Sequence, residues 1–349
     1  MLCGALLLAL KAAQAQGTGD NPLYGSPRGP AAIRDARPYN LLFLQFMPET
    51  ADVLPARSNM YGLQLDLINN LLVPIVDTSG GRHGAIVHED NEYQRLMFTW
   101  RRGLGQRTEL AVYAPLEWRN GGFLDSILSA YHHLAGFQGS GIDNPNGRDF
   151  WPLYQSRLEL TDATGRVLVN QGNAFGLGEV NVTLKHSLLR RGGRSALAVR
   201  AGVKLPTGNP TLLLGSGSLD IGLSLDARYS LGRDIIVYTN VSGALLGRAT
   251  RVPGAQPNMV QTLAALEYRA NNRDSFVLQL DGSTRAVRTG NRFADNWNGT
   301  ATFGYKRVLD RHHLLSVSLS ENGDIHNYLL PAFSNVGPDI TFSAGMEWR

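Results

Sequence analysis

The sequence predicts an all-β chain, an antiparallel transmembrane β-barrel of about twelve strands. Three observations predict it. From Asn59 to Arg349, segments of about ten residues alternate apolar and polar side chains. The links between these segments run short, long, short, long. Aromatic residues that share the apolar parity gather at both ends of the segments. In Ser218–Leu231, Leu219, Ile221, Leu223, Leu225, Ala227 and Tyr229 point one way, while Asp220, Gly222, Ser224, Asp226 and Arg228 point the other.

Composition agrees. Only 18% of the 349 residues are charged, below the usual quarter, and mean hydropathy is close to zero. No stretch reaches the roughly 20 apolar residues of a membrane helix, but a barrel dilutes its apolar residues with lumen residues. The net charge of +4 comes from scattered basic residues, many of them in tight turns. They form no stripe with interleaved aromatics, so nucleic acid is not an expected partner.

The first elements precede the barrel. Met1–Leu10 is apolar and Ala13-Gln-Ala15 is a small-residue cleavage site, so residues 1–15 read as a secretory signal peptide. No positive residue precedes the apolar run, and Lys11 interrupts its end. Cys3, the only cysteine, would leave with the signal, which excludes disulfides and cysteine metal sites from the mature chain. Residues 16–58, rich in Pro and Gly, form a periplasmic or plug segment. Their one apolar run, Leu41–Phe46, would enter the lumen or pair as an extra strand.

Twelve spanning strands follow, over 59–69, 92–102, 107–118, 177–189, 194–205, 218–231, 234–247, 258–270, 274–286, 296–308, 313–321 and 339–348. The links at 103–106, 190–193, 232–233, 271–273 and 309–312 are tight and rich in Gly, Asn, Asp and Arg, as hairpin turns should be. The others are long. Short periplasmic turns and long extracellular loops, with both termini periplasmic, suit an outer-membrane barrel in a Gram-negative-type envelope. Trp100, Tyr229, Tyr268, Phe276, Tyr305 and Trp348 lie near the short-turn ends, and Trp118 and Trp297 near the long-loop ends, as interfacial girdles do. The last strand, Asp339–Arg349, alternates to the chain end and resembles the terminal strand read by the barrel-assembly machinery.

The long link 119–176 is elaborated. Leu124, Ile127, Leu128, Tyr131 and Leu134 have helical spacing, which predicts an extracellular-loop helix near 121–137. Tyr154–Thr161 and Arg166–Asn170 flank Asp162-Ala-Thr-Gly165, a hairpin. Were that hairpin to span, the count would be fourteen; its second arm is too short.

Several segments resemble an uncharacterised family of bacterial outer-membrane barrels, a domain of unknown function. They are Arg57-Ser-Asn59, Gly121-Gly-Phe-Leu-Asp125, Gly176-Leu-Gly-Glu179, Arg200-Ala-Gly-Val-Lys-Leu-Pro-Thr-Gly208 and Leu214-Gly-Ser-Gly-Ser-Leu-Asp220. The Lys-Leu-Pro-Thr-Gly and Gly-Ser-Gly pieces are also similar to those of barrels proposed to carry aromatic hydrocarbons. The resemblance implies fold and location, and supplies no catalytic residue.

The expected lumen face carries Asp66, Arg95, Glu109, Glu117, Glu179, Lys185, Arg200, Lys204, Asp220 and Asp226. It continues with Arg228, Glu267, Arg269, Asp281, Arg285, Lys306 and Glu347. These form either charged rings that set ion preference or ion pairs that fill a narrow lumen. Leu124, Leu128, Tyr131, Pro206 and Leu213 are candidates for an apolar ligand entrance, with Leu212–Leu214 an exposed loop tip. Three functions compete. The leading one is a channel or transporter for a small solute, apolar by these residues, with membrane lipid as its surroundings. The second is a structural or adhesion barrel with a filled lumen. The third is an outer-membrane lipid hydrolase, which needs Ser and His on one face. His186 and Ser187 are adjacent and so face opposite ways, and no Gly-x-Ser-x-Gly elbow is present, so an enzyme is not expected. No cofactor or metal is expected; Asp143–Asp149 lacks the carboxylate order of a calcium loop.

Overall fold

The computed structural model describes residues 28–72, 86–135, 152–189, 194–290, 295, 297–321 and 340–349. The signal peptide, Cys3 and the Asp143–Asp149 turn lie outside these residues.

In chain order the elements are β1 (Asn59–Leu72), β2 (Ile86–Gly103), β3 (Thr108–Asn120), α1 (Asp125–Ala135), β4 (Arg157–Thr161), β5 (Val167–Gln171) and β6 (Ala174–Leu177). They continue as β7 (Val180–Ser187), β8 (Ser195–Leu205), β9 (Asp220–Ser230), β10 (Ile235–Leu245) and β11 (Asn258–Arg269). The last are β12 (Asp274–Ser283), β13 (Asn298–Val308), β14 (His313–Glu321) and β15 (Ile340–Trp348). Twelve strands close one antiparallel ring, with β4, β5 and β6 outside it. Closure runs from Tyr61↔Trp348 to Asn69↔Ile340 between β1 and β15. The ring abolishes free sheet edges, so every strand's backbone groups are paired in the membrane.

Hairpin turns close as the sequence predicts. Leu104, Leu231, Ala270 and Leu309 donate backbone N–H bonds to Thr108, Ile235, Asp274 and His313 at 2.9–3.0 Å. Asn271 Oδ1 also accepts from the Arg273 and Asp274 N–H groups at 2.8 Å, an Asx turn that fixes its corner.

Side-chain parity is inverted relative to a soluble sheet. On β9, Ile221, Leu223, Leu225 and Tyr229 are exposed on the outside, while Asp220, Ser224, Asp226 and Arg228 are buried inside. A bare apolar exterior is stable only against lipid. No helix among the described residues is long and apolar enough to cross a membrane; the strands do so. Trp118 and Trp297 are exposed near the long loops, and Tyr229, Tyr268 and Phe276 near the short turns. Phe276 packs on Tyr305 and Phe303, with ring centroids 5.5 and 6.1 Å apart.

Three differences from the sequence reading have physical causes. First, β1 and β2 run well past the expected ends, up to Leu72↔Glu89. Residues 88–92 are all polar and carry no alternation signal, but their backbones pair with β1 and with β4. Second, the expected 177–189 strand is broken at Gly178–Glu179 into β6 and β7, both paired to β3. Pro115 on β3 has no N–H to offer there, and its carbonyl accepts from Gly178 at 2.9 Å. Third, the 154–170 hairpin forms as β4 and β5 and, as expected, leaves the barrel at twelve strands, but it pairs with β2 and so continues the sheet beyond the ring. At its turn the Thr164 hydroxyl, with the Arg166 and Thr164 N–H groups, holds the Asp162 carboxyl below the usual carboxylate range.

The Gly121-Gly-Phe-Leu-Asp125 segment folds around Glu92. Its carboxylate accepts from the Phe123 and Leu124 N–H groups at 2.9 and 2.5 Å, the free donors at the start of α1. Gly122 has φ 59°, and any Cβ there would fall on the Glu92 carboxylate. Asp125 ties the helix start to Asn69 and to the Tyr154 N–H.

The exterior parity yields a test. Leu225→Arg, mid-strand on the lipid face, should cost about 2–4 kcal/mol in urea unfolding from phospholipid vesicles. An unchanged stability would remove Leu225 from the membrane surface.

Candidate functional site

The candidate site is the lumen, and a stretch of the chain itself occupies it. Residues 28–54 run inside the ring without joining a strand, apart from a single 3-10 turn at Asn40–Leu42. Leu42, Phe43, Leu44 and Phe46 are at most 4% exposed. An irregular buried segment must find partners for its backbone groups. Here the wall's inward side chains supply them. Asp220 accepts from the Leu44 N–H at 2.9 Å, Gln261 from Phe46 at 3.1 Å and Glu109 from Leu54 at 2.7 Å. Lys204 donates to the Leu42 carbonyl, Arg200 to Met47 and Lys306 to Pro30, at 3.1, 2.9 and 2.7 Å.

Two glycines shape the wall for this segment. Gly202 on β8 and Gly222 on β9 are register partners on the lumen face. A Cβ on Gly202 would lie 2.7 Å from the Phe46 ring, and one on Gly222 2.9 Å from it. Together they form a notch that receives Phe46, with the Arg200 guanidinium 5.1 Å from the ring centroid.

Charges cluster at three anchors. Toward the outer end, Glu179 accepts from the backbone N–H groups of Thr207, Gly208 and Ser216 at 3.0, 3.1 and 2.7 Å. Lys204 pairs with Glu179 and Asp220, each at 3.2 Å. The Gly-Leu-Gly-Glu, Lys-Leu-Pro-Thr-Gly and Gly-Ser-Gly segments therefore converge on one buried hub that holds Leu42 and Leu44. Toward the inner end, Glu49 of the lumen segment meets Lys185, Arg200 and Arg101 at 2.6, 3.0 and 3.4 Å, and Tyr113 bonds to it as well. Glu109 pairs with Arg101 and Lys185, Asp226 with Arg200, and Arg228 with Asp52. In the third anchor Asp35 takes Arg37 at 2.8 Å, Asn40 at 2.8 Å and the Ser283 hydroxyl.

Of the expected lumen residues, Arg95, Glu109, Glu117, Lys185, Arg200, Lys204, Asp220, Asp226 and Arg228 are buried inside. Arg95 pairs with Glu117 at 3.2 Å. Asp281 is half-buried and takes the Gln279 amide at 2.8 Å. Arg285 is half-buried and turns to Asp295 in the following loop. Ion pairs, rather than open charged rings, are what these residues form.

The expected apolar entrance needs correction. Leu213 and Leu214 are buried at 4% and 1% exposure, so the Leu212–Leu214 tip is not exposed. Leu213 adopts φ 50° and packs into a cluster with Tyr39, Leu42 and Phe43 of the lumen segment and Leu158 and Leu160 of β4. Arg119 holds the loop by its Leu212 and Leu213 carbonyls. Leu124, just before α1, and Leu128 on it are buried rather than open, while Pro206 is exposed. The Tyr131 side chain lies outside the described residues, as do His83 and His326. His186 contacts Thr108, and His313 pairs with Asp310, both exposed at turns; neither pair includes a serine. The described residues contain no group of three or more metal-ligating side chains.

Sequence reading placed Phe46 in a run that would enter the lumen or pair as a strand, and missed Asp35 and Glu49 as partners of the wall. The legible signal was the pair Gly202 and Gly222, two absent side chains at matching lumen positions.

A family model matches residues 50–349. The chain belongs to the DUF3187 family of proteins of unknown function. No protein of curated function matches it. Among solved structures it is similar to the COG4313 outer membrane channel from Pseudomonas putida F1, with 11% identity over 87% of this chain and 99% of that one, and a TM-score of 0.56. A Pseudomonas aeruginosa FadL homologue (9% identity, 95% and 98% covered, TM-score 0.40) and the Pseudomonas putida toluene transporter TodX (10%, 95% and 98%, 0.38) are looser matches. At these identities the likeness is one of fold.

The Glu49 hub makes a prediction. Glu49→Gln leaves three buried cations short of a partner and should cost about 3–5 kcal/mol, read as a lower denaturant midpoint. A midpoint within error of wild type would mean that Glu109 alone balances Arg101 and Lys185.

Proposed function

We propose that this DUF3187 protein is an outer-membrane channel held occluded by its own lumen segment, and that a small solute passes when the segment shifts. The observation that carries this reading is how the segment is held. Along its whole length it is tied to the wall by hydrogen bonds and ion pairs, which water can replace as the segment leaves. A welded apolar core would have no such exchange. The COG4313 protein that it resembles in fold is an outer membrane channel, in keeping with this reading.

Much of the wall facing the segment is charged or hydroxyl-bearing, with apolar patches against Ala31, Met47 and Ala51, and this favours a polar solute. An apolar solute would need the outer cluster around Tyr39, Leu42 and Phe43 to open first. The second reading, a structural or adhesion barrel, draws on the same filled lumen.

Planar-bilayer recording separates the two. Wild type should show a low or intermittent conductance. Gly202→Leu fills the Phe46 notch from the wall side, and deletion of residues 28–53 empties the lumen; both should raise the conductance several-fold. If both variants migrate as folded barrels on unheated gels and remain silent, the channel reading fails and the structural one stands.

A further inference from the structure

The lumen segment fills one side of the barrel less than the other. The wall of β13, β14 and β15 presents small hydroxyl side chains inward, among them Thr300, Thr302, Ser316, Ser320, Thr341 and Ser343. Two cavities reach β14 and β15 of this wall. One of about 70 Å³ sits at the inner end beside Ser316, Lys306 and Glu347. The other, about 10 Å³, is lined by Ile33, Arg34 and Ala36 of the lumen segment and by Thr300, Ser320 and Thr341. It holds about one water's worth of space.

Arg34 is the unexplained group. It is 5% exposed, and its guanidinium has no hydrogen-bond or ion-pair partner among the described residues. Around it stand Arg95, of the same sign, and the carboxylates of Glu117, Asp66 and Asp35. All three carboxylates are engaged elsewhere, Asp35 with Arg37, Asn40 and the Ser283 hydroxyl. Glu117 faces Arg95 at 3.2 Å, and Asp66 takes the Ser343 hydroxyl at 2.6 Å and the Gln64 amide at 2.7 Å. The Arg95 Nη2 also lacks an acceptor. Of these two guanidinium groups with donors to spare, only Arg34 lines the smaller cavity. Its hydroxyls can add more: Thr300 and Thr341 have no side-chain partner among the described residues, and Ser320 bonds only to Thr302. Buried donors without acceptors are costly, and guanidinium bonds to anions are the strong kind.

We propose that this cavity is a binding site for a small monovalent anion of halide size, held by Arg34 and the hydroxyls of Thr300, Ser320 and Thr341. An anion there supplies the acceptor that Arg34 lacks and offsets the repulsion between Arg34 and Arg95. Under the channel reading, on which this second part rests, the site gives the path along the hydroxyl wall a preference for anions.

Bromide tests the site directly. Crystals of the full chain soaked in sodium bromide should show an anomalous peak at the Arg34 guanidinium. Arg34→Lys should keep the peak and Arg34→Gln should lose it, with bromide affinity by NMR line broadening falling about tenfold or more. A water at that position with bromide only on the surface, or a peak that survives Arg34→Gln, overturns the proposal. In bilayers under a potassium chloride gradient, a conducting wild type should favour chloride and Arg34→Gln should lose that preference. A cation preference untouched by Arg34→Gln overturns the path. Silent bilayers with a bromide peak at Arg34 overturn the channel reading and leave the anion site standing.

Discussion

An extended chain buried inside a barrel has nowhere to send its backbone hydrogen bonds except to the wall. Everything inside this molecule follows from that constraint. Residues 28–54 form neither strand nor helix beyond one turn, so the inward side chains of β2, β3 and β7–β13 must act as donors and acceptors. Lys204, Arg200 and Lys306 cap carbonyls, and Asp220, Gln261 and Glu109 take N–H groups. The charged lumen is thus less a pore lining than a bed of hydrogen-bonding groups cut to one segment.

Burying so many charges is tolerable because they are shared. Glu49 faces three cations, Arg101 and Lys185 each face both Glu49 and Glu109, and Glu179 collects three backbone N–H groups besides Lys204. Isolated pairs at such depth would barely offset their desolvation, whereas hubs in which each ion has several partners do better. Such hubs are specific about geometry and weak as glue against water. Under the proposed channel reading, that combination suits a stopper able to leave and return to one position.

The motifs by which the family is recognised gain a physical meaning here. Gly121-Gly-Phe-Leu-Asp wraps Glu92 at the mouth of β2. Gly-Leu-Gly-Glu, Lys-Leu-Pro-Thr-Gly and Gly-Ser-Gly-Ser-Leu-Asp build the hub under the lumen segment's apolar run. Read singly, Pro206 and Gly208 look like an ordinary strand exit. The N–H groups of Thr207 and Gly208 share a partner, Glu179, that appears only when three loops meet.

The sequence by itself determined the twelve strands, their order, the face each residue takes and the lipid-facing belt. Strand parity and turn chemistry are local, with period two and links of a few residues, so Ile221, Asp226 or Asn271 declare their roles without distant partners. What the tertiary structure decided is what fills the ring. Whether Lys204 faces water or the Leu42 carbonyl, whether Leu213 is a bare tip or a core residue, and whether Gly202 is slack or a seat for Phe46 all depend on contacts across a hundred residues or more. Alternation sends a side chain inward and is silent about what waits there, because closure of the barrel, rather than any local propensity, brings the two together.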